Sequence, residues 1–221
     1  MILSVLVTLA AGPAPCPVVP LTTGRSWTYR AHVTWTVAGA TTTRDTVIAW
    51  TTRVLEVRTR DSVSVALVRD WPTALAWWEP GQPPDTTFVV CIGARLFQVA
   101  ANGGVRPALG DSLLSGVRRP SLDDLLLELP LHTGDLYGRE PSDRTDTFYA
   151  WYVESAAPVT TRLARLGAPD ADSVYTVAYR TLPDHQILGY VPGFGLTRYV
   201  YAHHGTVAAV TAVLAATRHP R

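Results

Sequence analysis

Residue types that could do chemistry fall in only a few places along this chain. Gly110-Asp111-Ser112-Leu113 sets a serine beside an aspartate, the start of a hydroxyl nucleophile for acyl transfer. Such a serine needs a base. The nearest Asp-His pair is Asp184-His185, whose adjacent side chains point to opposite faces of an extended chain. His203-His204 offers imidazole to a metal, but neighbours on a regular strand diverge, and His-x-His spacing would be needed. Asp143-Arg144-Thr145-Asp146 and Asp170-Ala171-Asp172 gather carboxylates without the glycine and terminal glutamate of a calcium loop. Gly193-Phe194-Gly195 precedes strand-like sequence, whereas a phosphate cradle opens a helix. These patterns assign no catalytic residue, no metal ligand and no cofactor.

The Ser112 string matches the nucleophile motif of the GDSL esterases. In those enzymes the motif follows the first strand of an α/β fold and a later Asp-x-x-His completes the set. Here it lies mid-chain with no Asp-x-x-His after it, so a GDSL-like esterase is a remote alternative. The segment from Trp71 to Pro84 has more binding character. Trp71, Trp77 and Trp78 stand among prolines, and exposed indoles of this kind stack on sugars, on apolar ligands or on a partner protein. The competing expectation is that this loop folds back and plugs the open end of a sheet with its own aromatics.

Location is written at the start of the chain. Residues 2–11 are an uncharged apolar run, followed by Gly12-Pro13-Ala14-Pro15, the core and cleavage region of a secretory signal. The run is shorter than the roughly 20 residues a transmembrane helix needs. Residues 1–15 are therefore read as a signal-like export segment, and 16–221 as a single β-rich domain. The two cysteines, Cys16 and Cys91, suit an oxidising compartment. Either they bridge the mature N-terminus to the sheet, or Cys91 is a small core residue and Cys16 is loose. With 47% hydrophobic and 17% charged residues the chain can build one sizeable core, and a net charge of +1 argues against a nucleic-acid partner.

The elements that must position these residues are strands. One phrase occurs twice: Val19-Pro20-Leu21-Thr22-Thr23-Gly24-Arg25-Ser26-Trp27 and Leu129-Pro130-Leu131-His132-Thr133-Gly134-Asp135-Leu136-Tyr137. Proline and glycine shape a turn, and the aromatic anchors the strand that follows. Period-two alternation then predicts strands over Trp27–Val37, Thr46–Thr59, Ser62–Arg69, Thr86–Ile92 and Arg95–Ala100. A slip of phase from Val54 to Leu55 predicts a β-bulge. Later strands are expected at Thr147–Val153, Val174–Tyr179, Gln186–Val191 and Leu196–His203, while Thr206–Ala216 fits strand or helix. The one short helix is placed over Ser121–Glu128, where Ser121 can cap and Leu122, Leu125 and Leu126 share a face. The fold class is mainly β: an antiparallel sheet forming a curved sandwich or half-open barrel with one short helix.

Pro20-Leu21-x-x-Gly24-x-x-Trp27 and the late Pro192-Gly193-Phe194-Gly195 together resemble uncharacterised exported bacterial proteins that open on the same phrase and carry a late Pro-Gly-x-Gly turn. The resemblance covers the two ends of the domain and implies a β-rich envelope protein, without bringing catalytic residues. The resulting expectation is an exported, non-enzymatic binding or scaffolding protein of the bacterial cell envelope, monomeric, periplasmic or secreted. Its partner would be an envelope protein or an apolar small molecule. The alternative is a carrier that holds a lipid or other apolar ligand within a curved β-sheet.

Overall fold

The computed structural model describes residues 16–36, 42–101, 106–140, 145–169, 173–203 and 209–220. The signal-like segment 1–15, the hairpin expected at Gly39, the acidic Asp143-Arg144 and Asp170-Ala171-Asp172, and the His204-Gly205 turn lie outside them.

Alternating sequence becomes alternating burial. In β1 (Ser26–Thr36) the side chains of Trp27, Tyr29, Ala31 and Val33 are buried, and Arg30 and His32 face water. Antiparallel neighbours follow as β2 (Thr43–Arg60), β3 (Val63–Arg69), β4 (Thr86–Ile92), β5 (Arg95–Ala100) and β6 (Leu125–Glu128). The second series is β7 (Leu136–Tyr137), β8 (Trp151–Pro158), β9 (Ser173–Arg180), β10 (Asp184–Val191), β11 (Gly195–His203) and β12 (Ala209–Arg218). All twelve form one sheet in the order β6-β5-β4-β3-β2-β1-β12-β11-β10-β9-β8-β7. The bulge read at Leu55 is present, as a register shift between Val54 and Glu56. The segment that fitted strand or helix is strand β12, paired on both sides.

Chain length forces this sheet to curl. Its two edges, β6 and β7, are consecutive in sequence. Twelve strands about 4.8 Å apart would spread about 53 Å if flat. The connection from Glu128 to Leu136 reaches at most about 29 Å. The sheet therefore rolls into a nearly closed barrel, and side chains bridge the remaining seam. Trp151 Nε1 donates to the Leu125 carbonyl at 2.7 Å, and the Tyr137 hydroxyl donates to the Leu126 carbonyl at 3.0 Å.

The repeated phrase builds the same turn twice. Gly24 (φ +86°) donates to Val54 at 2.9 Å, and Val54 donates back to Arg25. Gly134 (φ +97°) donates to Val153 at 2.8 Å, and Val153 donates back to Asp135. Each partner valine is followed by a bulge, in β2 and in β8. The start of each phrase also docks on the other half: Gly193 of the β10–β11 turn donates to Val18, just before the first phrase, and Leu129 of the second donates to Ala94 of the β4–β5 turn. The barrel is thus two six-strand halves, β1–β6 and β7–β12, in a pseudo-twofold arrangement.

Two expectations about local structure are corrected. Ser121–Glu128 is not a helix: Ser121 and Asp124 form a capping box around one 3₁₀ turn, Leu122–Asp124, and the leucines that follow are strand β6. Their run is buried on both faces, which helical spacing alone cannot distinguish from an apolar stripe. Helix α1 lies instead at Arg106–Leu114, within sequence that reads as irregular. A second short helix, α2, spans Thr161–Arg165. The strand expected from Thr147 begins only at Trp151, because Tyr149 takes φ +56° and breaks the extended path.

Two apolar clusters result. The larger fills the barrel and includes Trp27, Tyr29, Val89, Cys91, Leu96, Tyr190 and Phe194. The smaller lies outside β3–β5, where Leu113 of α1 covers Val65, Phe88, Val90 and Phe97. With both faces buried, Phe88-Val89-Val90-Cys91-Ile92 is a continuous apolar run rather than an alternating one. Cys16 and Cys91 are joined in a disulfide, closing 75 residues of chain.

Candidate functional site

The Trp71–Pro84 loop divides its three indoles among three tasks. Pro72–Trp77 forms a 3₁₀ helix whose Leu75 and Ala76 are buried against the barrel, so the loop does fold back as a plug. Trp71 is buried at its start. Trp78 is half-buried and meets Trp35 edge to face, with ring centroids 5.2 Å apart. Trp77 alone is turned outward, 77% exposed, beside a cleft of about 460 Å³. Of the three expected ligand-binding residues, only Trp77 lines that cleft.

The cleft opens at the end of the barrel where β3 runs into the plug and β9 turns into β10. It borders the side-chain-bridged seam, since Leu125, Leu126, Gly138 and Trp151 are in its wall. Gly138 is required there: with φ +76°, a Cβ would come within 2.9 Å of the Trp151 ring. Strands β10 and β11 supply a polar ladder. The Tyr201 hydroxyl donates to Asp184 Oδ1 at 2.9 Å, and His203 Nδ1 pairs with the same carboxylate oxygen. Next along, the Tyr199 hydroxyl contacts Gln186 Oε1 at 3.4 Å. Burial first, then the Asp184 contact, pushes the Tyr201 phenol up to about 12, and burial raises Tyr199 too, so both stay neutral donors. Opposite them Thr73 donates to Gln98 Oε1 at 2.6 Å. Tyr179 packs on Trp151 with centroids 5.1 Å apart, and burial, then Asp123 and Tyr149, raise its phenol. Asp85, Asp123 and Asp124 complete the rim.

Sequence reasoning singled out Trp77 but missed Asp184, Gln186, Tyr199 and Tyr201 as one group. The signal was present as period-two spacing of polar residues on β10 and β11, Asp184 with Gln186 and Tyr199 with Tyr201. Asp85, Asp123 and Gln98 carried no such pattern.

The Gly110-Asp111-Ser112-Leu113 string sits on α1, and each letter has a packing role. Gly110 lets the helix approach Phe88, where a Cβ would lie 3.3 Å from the ring. Asp111 pairs with Arg58, the Ser112 hydroxyl donates to the Ala108 carbonyl at 2.8 Å, and Leu113 is core. His203 is engaged with Asp184, and His204 lies outside the described residues. Among the described residues no group of three or more His, Cys, Asp or Glu could hold a metal ion. No helix among them is long and apolar enough to cross a membrane.

Fold and site define a twelve-stranded antiparallel barrel, plugged at one mouth and cleft beside the plug. No protein-family model matches the chain, and no curated protein matches it. Among solved structures it is similar to a Bacteroides fragilis protein described as a "putative exported protein with YmcC-like fold". That match is 11% identical, with a TM-score of 0.48, and covers 92% of this chain and 100% of the other. It is also similar to a "putative lipoprotein" from Parabacteroides distasonis, 14% identical, TM-score 0.40, covering 93% of this chain and 100% of the other.

Proposed function

We propose that this is an exported, non-enzymatic binding protein of the bacterial cell envelope, monomeric, acting in the periplasm or outside the cell. The observation that carries the binding role is the cleft beside Trp77. It is an open, polar and aromatic hollow in a barrel otherwise filled by large side chains such as Trp27, Tyr29, Tyr190 and Phe194. The Cys16–Cys91 disulfide and the apolar run over residues 2–11 support export. The packed interior favours binding at the mouth over a carrier that encloses a lipid.

Two measurements test this reading. A reporter fused after Arg221 should appear outside the cytoplasm on a shortened chain; an uncleaved cytoplasmic product rules export out. Native mass spectrometry of the exported protein should show a small-molecule adduct that disappears when Gln186→Trp fills the cleft. A lipid adduct that survives Gln186→Trp would replace this reading with the carrier.

A further inference from the structure

The cleft's walls are unusual in what they combine. Indole and phenol rings from Trp77, Trp151, Tyr179 and Tyr201 face a hollow of about 460 Å³, room for a small organic molecule. Trp77 presents its ring to solvent although its neighbours Leu75 and Ala76 are buried, so among the described residues that apolar face is left largely uncovered. Part of the hydrogen bonding in the walls is internal. The hydroxyls of Tyr201, Tyr199 and Thr73 are directed at Asp184, Gln186 and Gln98, and Trp151 Nε1 at Leu125. The lining also holds the Trp77 indole N–H, the Thr86 and Tyr179 hydroxyls and two glutamine amides as neutral donors, while Asp85 and Asp123 stand at the rim as charged acceptors. Charge is one-sided. Among the described residues the lining includes aspartates and no arginine or histidine; His203, stacked on Tyr201 next to the lining, is the partner of Asp184.

A ligand complementary to such walls carries positive charge and a surface that rings can face. From this we infer that the cleft is a site for an organic ammonium compound, an aliphatic amine or polyamine, held against Trp77 and Tyr179 and steered by Asp85 and Asp123. This rests on the binding reading above and gives it a ligand class. An ammonium group donates without needing to accept, and ring faces attract it further. A cleft of one sign also concentrates cations and turns anions away. A neutral sugar would gain nothing from the charge of the rim.

The test is isothermal titration of the full exported protein with spermidine, maltotriose and palmitate as probes. Spermidine should bind, and maltotriose and palmitate should not. The exposed pair Asp85→Asn/Asp123→Asn should weaken spermidine about ten-fold and flatten its salt dependence. Trp77→Ala should weaken it about five-fold. Both variants change exposed side chains and should keep the wild-type circular dichroism spectrum. Spermidine binding that ignores both variants, or no spermidine binding at all, overturns the ammonium site. Maltotriose or palmitate binding that Trp77→Ala weakens, with spermidine silent, leaves the cleft a binding site and removes its cation preference. Silence of all three probes, together with no adduct in native mass spectrometry, removes both readings.

Discussion

The two halves of the barrel start from the same turn and meet each other in two different ways. At the β1–β12 junction the halves join by a backbone ladder that runs from Ser26 opposite Arg218 to Thr34 opposite Ala209. At the β6–β7 junction side chains do the joining, through Trp151 and Tyr137 to the Leu125 and Leu126 carbonyls. The anchors differ accordingly. Trp27 is 1% exposed, donates to the Phe194 carbonyl at 3.3 Å and carries the Arg25 guanidinium 5.2 Å above its ring. Tyr137 is only half-buried. The cleft lies at the second junction. A sheet closed by a ladder leaves no gap for a ligand, whereas a seam held by two side-chain contacts leaves room beside them.

The largest expected effect breaks the ladder side. Trp27→Ala should destabilise by about 3–5 kcal/mol, the cost of emptying a buried aromatic site. Tyr137→Ala should cost about 1 kcal/mol less, since part of that residue stays exposed. Midpoints of denaturant unfolding measure both, and equal losses would mean the junctions are energetically alike. Next is the tether on the Trp27 side. Cys16→Ser frees a loop of 75 residues and should cost about 4 kcal/mol on chain-entropy grounds. The same measurement under reducing conditions should show the wild type falling to the level of the variant.

A smaller effect sharpens the seam. Gly138→Ala forces a side chain into φ +76° and drives its Cβ toward Trp151, so it should cost about 2–3 kcal/mol and loosen the Leu125 contact. Gly134→Ala meets open space at φ +97° and should cost only about 1–2 kcal/mol. Amide hydrogen exchange at β6 should rise in Gly138→Ala and stay unchanged in Gly134→Ala. A rise in both would mean that the seam depends on the turn rather than on Trp151.

Strand positions in the first half of the barrel were the most legible part of the sequence. Thr86–Ile92 and Arg95–Ala100 are strands with the bounds that their apolar runs and turn residues give, and the Leu55 slip is a real bulge. Legibility failed where a second layer changed the pattern. Leu125–Glu128 is buried on both faces and imitates an amphipathic helix, while α1 hides in Gly- and Pro-bearing sequence because Gly110 is there for close approach to Phe88. The site was legible only in part, because its walls come from the plug, the β5–β6 connection and β10–β11. Side chains as far apart in sequence as Thr73 and Tyr201 share a cleft only after the sheet has rolled, and no local spacing records that.

The smallest stability effect belongs to the residue closest to function. Trp77 lies on the plug, but its ring is 77% exposed while Leu75 and Ala76 beneath it are buried, so the plug is held by those neighbours. Trp77→Ala should therefore shift the unfolding midpoint by no more than about 0.5 kcal/mol, the usual range for a surface substitution. Leu75→Ala, by contrast, empties a fully buried site and should cost about 2–5 kcal/mol. The pair separates the two tasks of the loop. If Trp77→Ala destabilised as much as Leu75→Ala, the ring would be part of the plug, and its exposure would no longer point to a ligand. A neutral Trp77→Ala leaves the indole with no folding role, and binding at the open seam becomes the reason for placing it there.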